Sequence, residues 1–313
     1  MEILVTGSSG FIGYHLVKQL LKRHSVTILG STNKFGEQVT HIDSRIEDIS
    51  PECSSFLNID VVIHCAGIAN SGDDLTRYHH INTVSTLNLA KNSEESNVKR
   101  FIFLSSLKVN GEQTIQNNPI TCLSEYAPKD AYASSKAEAE KQLLALRGGM
   151  DIVIIRPPLV YGEGVKGNFS HLMALIHKSV PLPFARVTGN KRSLVSIINL
   201  LSLIEVCIEH PNATNQVFLV SDDRDISTSE MINRIALGLG KSTWQFPFPL
   251  FCYRLIGRIM GKKELIERVV GSLQVDISHT KKTLDWTPPQ TLQSGFKQAA
   301  NAFLESKKNG KNL

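Results

Sequence analysis

The opening thirteen residues constrain the fold more tightly than any other part of the chain. Ile3–Thr6 is an apolar run of strand length, and it leads directly into Gly7-Ser8-Ser9-Gly10-Phe11-Ile12-Gly13. Beyond that turn, Ile12, Leu16 and Leu20 recur at helical spacing as far as Arg23. A strand, a glycine-rich turn and a helix in that order leave bare amides at a helix N-terminus, where negative charge is favoured. The glycines let the backbone turn tightly and approach a diphosphate closely. The spacing is GxxGxxG rather than GxGxxG, and a plain strand-to-helix turn would use the same residues. Position at the start of a βαβ series favours a dinucleotide site formed by Gly7, Ser9, Gly10, Phe11, Ile12 and Gly13.

The series continues through the first half of the chain. Val26–Leu29, Val61–Cys65, Phe101–Ser105 and Ile152–Arg156 are short apolar runs suited to strands covered on both faces. Thr83–Ser96 and Ser134–Arg147 read as amphipathic helices between them. The alternation predicts an α/β fold, a doubly wound parallel (Rossmann) sheet with a smaller C-terminal lobe. Past residue 163 the texture changes to helices punctuated by Pro181–Pro183, Phe246–Pro249 and Pro288–Pro289. The 313 residues therefore divide into a nucleotide-binding unit, 1–163, and a substrate lobe, 164–313. Strand candidates within 194–221 are expected to interleave with the first unit and return to its sheet.

Composition excludes several classes. Hydrophobic content of 42% with 20% charged residues is that of a globular chain. No apolar run reaches the roughly 18 residues of a spanning helix. The net charge of +5 comes from scattered Lys and Arg, with clusters at Lys262–Lys263, Lys281–Lys282 and Lys307–Lys311 that read as solvated surface. Nucleic acid is not an expected partner. Cys53, Cys65, Cys122, Cys207 and Cys252 are widely spaced without a CxxC pair, as in a cytoplasmic protein with reduced thiols. No metal site is expected, since His79-His80 lacks a matching ligand set. The N-terminus carries no signal-peptide pattern. Trp244–Tyr253 reads as helix-packing surface, so membrane contact through Phe246–Met260 is not expected.

A dinucleotide fold usually places an acid after the second strand, against the adenosine ribose. Here Leu29 is followed by Gly30-Ser31-Thr32-Asn33-Lys34, with no carboxylate before Glu37. Ser31 and Lys34 are placed to meet a 2′-phosphate, so NADP is expected to be tolerated or favoured alongside NAD. An unselective site is the alternative.

Tyr132-Ala133-Ser134-Ser135-Lys136 opens a helix, which sets Tyr132 and Lys136 one turn apart on one face. A phenol near pKa 10 is a weak base at neutral pH, and an adjacent ammonium together with a positive nicotinamide ring brings it towards the useful range. Strand Phe101–Ser105 ends in Ser105-Ser106, which brings a hydroxyl to the same carboxyl edge of the sheet.

GSSGFIG, the HCAG of His64–Gly67, Asn82, FIFLSSLKVNG, YASSK and RPPLVYG stand in an order that resembles the extended short-chain dehydrogenases/reductases. More narrowly, the chain resembles the NAD-dependent epimerase/dehydratase group acting on nucleotide sugars. The resemblance implies that Ser106 bonds the reacting sugar oxygen, Tyr132 exchanges its proton and Lys136 holds the nicotinamide ribose. Asn82 would support the site through a proton relay or local backbone geometry, and Cys65, Ala66 and Gly67 would border the cofactor. Leu107 and Lys108 replace the acid pair of the 4,6-dehydratases, and the cysteine of the 3,5-epimerase-reductases is also missing. Hydride chemistry at one carbon remains, by a 4-epimerase or a 4-keto-reductase of UDP-hexoses or UDP-N-acetylhexosamines serving bacterial surface polysaccharides.

Asn168 and Arg192 fall in segments similar to those that hold the nucleotide diphosphate, and a guanidinium suits bidentate phosphate pairing. The arginine that 4-epimerases often carry near the GSLQVD…LDWTPP ending is not evident. A homodimer through the helices at Thr83–Ser96 and Ser134–Arg147 is expected from the resemblance. The alternatives are a non-enzymatic NAD(P)-binding regulator and a reductase of a non-sugar carbonyl.

Overall fold

A computed structural model describes residues 1–49, 56, 58–69, 74–115, 118–146, 148–261, 263–308 and 310, without the side chains of 263–265. Cys53, Arg147, Lys262 and Lys311 lie outside the described residues. The strands are β1 (Glu2–Thr6), β2 (Ser25–Leu29), β3 (Thr40–Ile42), β4 (Val61–His64), β5 (Arg100–Leu104), β6 (Asp151–Arg156), β7 (Leu159–Tyr161), β8 (Leu194–Ser196) and β9 (Gln216–Leu219). Helices α1 (Phe11–Leu20), α2 (Leu75–His79), α3 (Ser85–Glu95), α4 (Ala131–Ala145), α5 (Asn168–His177) and α6 (Ile197–Glu209) alternate with them. Then follow α7 (Thr228–Gly238), α8 (Leu250–Ile259), α9 (Lys263–Val270), α10 (Ser278–Leu284) and α11 (Leu292–Lys308).

Seven strands form one parallel sheet in the order β3-β2-β1-β4-β5-β6-β9, the doubly wound arrangement the sequence predicts. Every adjacent pair is parallel, so all C-terminal strand ends meet at one edge. The period of two along each strand splits the core into two layers. Ile3, Val5, Ile28, Ile63 and Ile102 face α1 and α6 through Leu16, Leu20, Leu200 and Ile204. Leu4, Leu29, Val62, Phe101 and Phe103 face α3 and α4 through Leu89, Ala90, Ala139 and Leu143. Each such fully buried aliphatic side chain contributes on the order of 1.5–3 kcal/mol, which is why these strands read as continuous apolar runs.

β9 returns to the main sheet beside β6, whereas β8 pairs β7 in a separate two-stranded sheet. The lobe has its own core of Phe169, Met173 and Ile176 from α5, Ile232 and Ile235 from α7, and Phe296 and Phe303 from α11. Tyr161 of β7 belongs to this second core: its ring stacks on Phe296 and Phe169, and its hydroxyl donates to Asp222 Oδ2 at 2.6 Å. No helix of the described residues is long and apolar enough to cross a membrane.

Candidate active site

The sheet delivers the candidate residues to its carboxyl edge. Gly7 follows β1 with φ of +71°, and a Cβ there would stand 2.7 Å from the Ala66 amide nitrogen. A Cβ on Gly13 would stand 2.2 Å from the Gly7 carbonyl oxygen. Turn, helix and the Cys65–Gly67 segment after β4 therefore pack so closely that only glycine fits at either position. Gly10, extended at φ −77°, caps α1, Ser9 and Gly10 remain exposed, and Phe11 and Ile12 pack partly against the core. Lys34 reaches across this turn, donating to the Ser9 carbonyl at 2.9 Å, while Ser31 is exposed beyond β2.

Behind the turn, a buried hydrogen-bond chain has only one consistent proton order. The Thr86 hydroxyl donates to the Asn82 carbonyl at 2.8 Å, so Thr86 Oγ1 accepts from His64 Nε2 at 2.9 Å. The Ala66 amide donates to Thr6 Oγ1 at 3.2 Å, and since the neutral ring carries its proton on Nε2, the Thr6 hydroxyl donates to His64 Nδ1 at 2.6 Å. His64 is thus a neutral Nε2–H tautomer. Burial, aided by the Lys136 charge, holds its pKa well below the usual histidine range.

Asn82 lies in one π turn, His80–Val84, between α2 and α3. Such a local widening recurs at functional positions. Its Nδ2 donates to the Ile68 carbonyl and to Ser135 Oγ, each at 3.0 Å, and its Oδ1 accepts from the Ile68 amide at 2.9 Å. Ser135 Oγ in turn donates to the Tyr132 carbonyl at 2.8 Å. Asn82 therefore ties the Cys65–Ile68 segment to the first turn of α4.

The first two turns of α4 carry Tyr132 and Lys136. Asp130 caps α4, its Oδ1 accepting from the Ala133 amide at 2.7 Å. The Tyr132 phenol is hydrogen-bonded to Ser106, which starts the short 3₁₀ turn Leu107–Asn110 after β5. Lys136 is buried, its Nζ donating to the Leu104 carbonyl at 3.1 Å and lying 4.4 Å from the Phe103 ring centre. A Cβ on Gly67 would stand 3.2 Å from that Nζ. Ser106, Tyr132, Lys136, Asn82, Cys65–Gly67 and Gly7 are thereby joined by contacts in one constellation.

The electrostatics differ from the simplest expectation. Burial pushes the Tyr132 phenol up to about 12; the Ser106 hydrogen bond works against this, while Asp130 and Tyr78 add to it. Burial pulls the Lys136 ammonium down to about 8, against the raising influence of Cys65 and Glu140. Burial also raises the Cys65 thiol to about 12, which leaves it a protonated packing residue.

On the lobe side, Arg192 donates to the Gly271 carbonyl at 3.2 Å. Burial lowers its pKa, Glu112 raises it and the charge of Arg268 lowers it further. Arg268 of α9 grips Glu112 with two nitrogens, at 3.1 and 2.7 Å. Glu112 also pairs with Lys108 at 2.8 Å, and Lys108 reaches Asp130 at 2.6 Å. Arg268 lies near enough to Arg192 for its charge to act on that guanidinium, and it stands three residues before the GSLQVD segment. Sequence spacing missed it because its partner Glu112 is 156 positions away. Asn168 opens α5 with its side chain exposed. No group of His, Cys, Asp and Glu among the described residues could hold a metal ion.

Comparison with known proteins matches residues 3–221 to the family described as the NAD dependent epimerase/dehydratase family. A UDP-glucose 4-epimerase of Vibrio cholerae is 51% identical over 97% of this chain and 96% of its own length. An N-acetyl-alpha-D-glucosaminyl-diphospho-ditrans,octacis-undecaprenol 4-epimerase of Escherichia coli O157:H7 is 24% identical, covering 98% of this chain and 97% of its own. Among solved structures, the UDP-glucose 4-epimerase of Thermotoga maritima superposes with a TM-score of 0.80 at 21% identity, covering 98% of this chain and 100% of its own.

Proposed function

The chain belongs to the NAD dependent epimerase/dehydratase family, as a nucleotide-sugar epimerase of the extended short-chain dehydrogenase/reductase type, and we propose that it inverts C4 of a UDP-hexose or UDP-N-acetylhexosamine. The observation that carries this reading is the meeting of Ser106, Tyr132 and Lys136 beside the glycine turn. The turn fits a dinucleotide diphosphate: Gly7 and Gly13 have no room for a Cβ, and Ser9 and Gly10 face outward at the start of α1. NAD bound there supplies uptake of a hydride from the sugar carbon and its return to the opposite face.

The chain's own groups handle the proton. Tyr132 Oη takes it from the C4 hydroxyl and gives it back, and Ser106 Oγ bonds that oxygen. Lys136 holds the cofactor ribose, and its charge, with that of the oxidised nicotinamide, offsets the burial that raises the phenol. Asn82 acts as a positioning residue through Ile68 and Ser135. Arg192 and Arg268, with Asn168 at the start of α5, take the substrate diphosphate. Lys34 across the Ser9 carbonyl supports tolerance of NADP as well as NAD. The reading extends to a cytoplasmic homodimer through α3 and α4 that serves surface polysaccharide synthesis.

A second reading, a sugar diphosphate carried on a polyprenol, is favoured by the cleft at Ala185, Arg186, Thr188, Pro249, Leu250 and Phe251, which opens beside exposed apolar residues of α8. Incubation with UDP-glucose, UDP-GlcNAc, a 4-keto-UDP-sugar and polyprenyl-diphospho-GlcNAc tests both, with products resolved by chromatography and cofactor followed at 340 nm. Sugar inversion without net cofactor consumption is expected, and net consumption would mean a reductase. Tyr132→Phe should lose turnover by orders of magnitude while still binding NAD; full activity in that variant refutes the assignment.

A further inference from the structure

One face of α8 is turned away from the protein and exposed. Tyr253 and Gly257, one turn apart, are the buried residues of this helix. Tyr253 donates to the Pro183 carbonyl and packs with Phe184, Phe248, Val187 and Val270. On the opposite side Phe251, Leu255 and Ile259 follow at intervals of four residues and are 69%, 53% and 77% exposed. Leu250, Ile256 and Met260 extend the patch along the helix, and Trp244 and Phe246 extend it along the preceding segment. That segment is fixed rather than loose, since Leu182 and Trp244, and Phe246 and Leu182, exchange backbone hydrogen bonds at 2.9 and 3.0 Å. A contiguous exposed apolar patch of this kind marks an interaction surface.

Charge identifies the occupant. From Met231 through Lys263 the chain carries six Lys or Arg residues and no Asp or Glu. Arg254 and Arg258 lie next to the apolar stripe and are exposed, as is Arg186 across the adjoining cleft. Arg254 is partly engaged by Glu267 of α9 at 3.2 Å; Arg258 stands near the stripe's far end. A helix with an apolar face bordered by arginines, with a tryptophan at its flank, is built to lie in the interface of an anionic membrane.

We propose that α8, with Trp244 and Phe246, docks this protein on an anionic lipid bilayer. The surface is continuous with the substrate side of the molecule. Leu250 and Arg254 line a second cleft together with Asn190, Gly271 and Ser272, and Gly271 is the residue whose carbonyl Arg192 holds. Docking therefore places this second cleft beside the headgroup layer. The sequence assigns Trp244–Tyr253 to internal packing; Tyr253 and Phe248 do pack, whereas Phe251 on the opposite face is exposed. The proposal is independent of which sugar diphosphate the enzyme takes.

Sedimentation of the full chain with vesicles tests it, using phosphatidylcholine alone and phosphatidylcholine mixed with phosphatidylglycerol. Binding to the mixed vesicles that weakens as salt rises is expected. The double variant Leu255→Glu/Ile259→Glu, at exposed positions outside both clefts, should lower vesicle affinity by roughly tenfold or more. Its thermal unfolding and epimerase turnover on a water-borne substrate should match the parent. Failure of the parent to bind mixed vesicles overturns the proposal. So does a dimer in sedimentation velocity that this double substitution dissociates, because the occupant of the face is then a second copy of the chain.

Discussion

Replacing Arg156 with methionine should be among the most damaging single changes outside the reacting groups. Arg156 ends β6 and is 2% exposed; Glu140, one turn beyond Lys136 on α4, is fully buried. The guanidinium Nε donates to both Glu140 oxygens at 3.0 Å, and Nη2 donates to Oε2 at 2.5 Å. Nη1 donates to Asn110 Oδ1 at 3.1 Å, and the Tyr126 hydroxyl donates to Glu140 at 2.9 Å. Asn110 Nδ2 passes the linkage on to the Ser124 and Glu125 carbonyls at 2.8 and 3.0 Å. Burial opposes the charge of Arg156, yet the hydrogen bonds and charge of Glu140 raise its pKa overall.

Methionine keeps the length of the side chain but leaves the Glu140 carboxylate enclosed with Tyr126 alone. Removing one partner of a buried ion pair costs about 3–5 kcal/mol, a large share of the roughly 5–15 kcal/mol that holds a domain folded. Adding Glu140→Gln to Arg156→Met removes the uncompensated charge and should restore about half of that loss. Urea unfolding followed by circular dichroism gives both numbers. The same bonds hold the turn after Ser106 against the Tyr132 helix, so residual folded Arg156→Met should also lose kcat. A single-variant cost below about 1 kcal/mol, or a double variant as unstable as the single, refutes the reasoning.

Three further outcomes follow from the same geometry. The Lys136 ammonium falls from 10.5 to about 8, so the unfolded chain binds more protons between those values and cofactor-free stability rises with pH across them. Lys136→Met should therefore be more stable than the parent by up to about 3 kcal/mol below pH 8, an advantage that fades by pH 10 in thermal melts. Gly13→Ala forces a methyl group to 2.2 Å from the Gly7 carbonyl, costing about 1–3 kcal/mol and weakening NAD at least roughly tenfold by fluorescence titration. Arg192→Ala and Arg268→Ala should each raise KM for the nucleotide sugar by about ten- to a hundredfold at nearly constant kcat, since each removes a charge-assisted bond to a group that does not react.

What was legible in the sequence is what short segments encode by themselves. The central strands show as apolar runs because helices cover both faces, and the glycine turn shows because close approach of Ala66 and Gly7 tolerates no side chain. β3, whose residues are half-buried or exposed at the sheet edge, leaves no such run; β8 does, but its pairing with β7 rather than with the main sheet is set by topology. The π turn around Asn82 has no sequence signature, although Asn82 itself stood out. Glu140 and Arg268 carry no motif of their own; each gains its meaning from a partner brought by the fold, Arg156 sixteen positions away and Glu112 far across the chain. The same limit governs α8. Phe251 and Tyr253 are two aromatic residues of one apolar stretch, and composition treats them alike. A helix turns about 200° between them, so the residue that finds Pro183 and Phe184 commits its neighbour to the opposite side. Whether that side is core or interface depends on what else reaches it, which is a property of topology, and here Phe251, Leu255 and Ile259 stay exposed. Three large apolar side chains in water on one stripe forgo about 1.5–3 kcal/mol each of hydrophobic stabilisation, which insertion into a bilayer interface would recover in part.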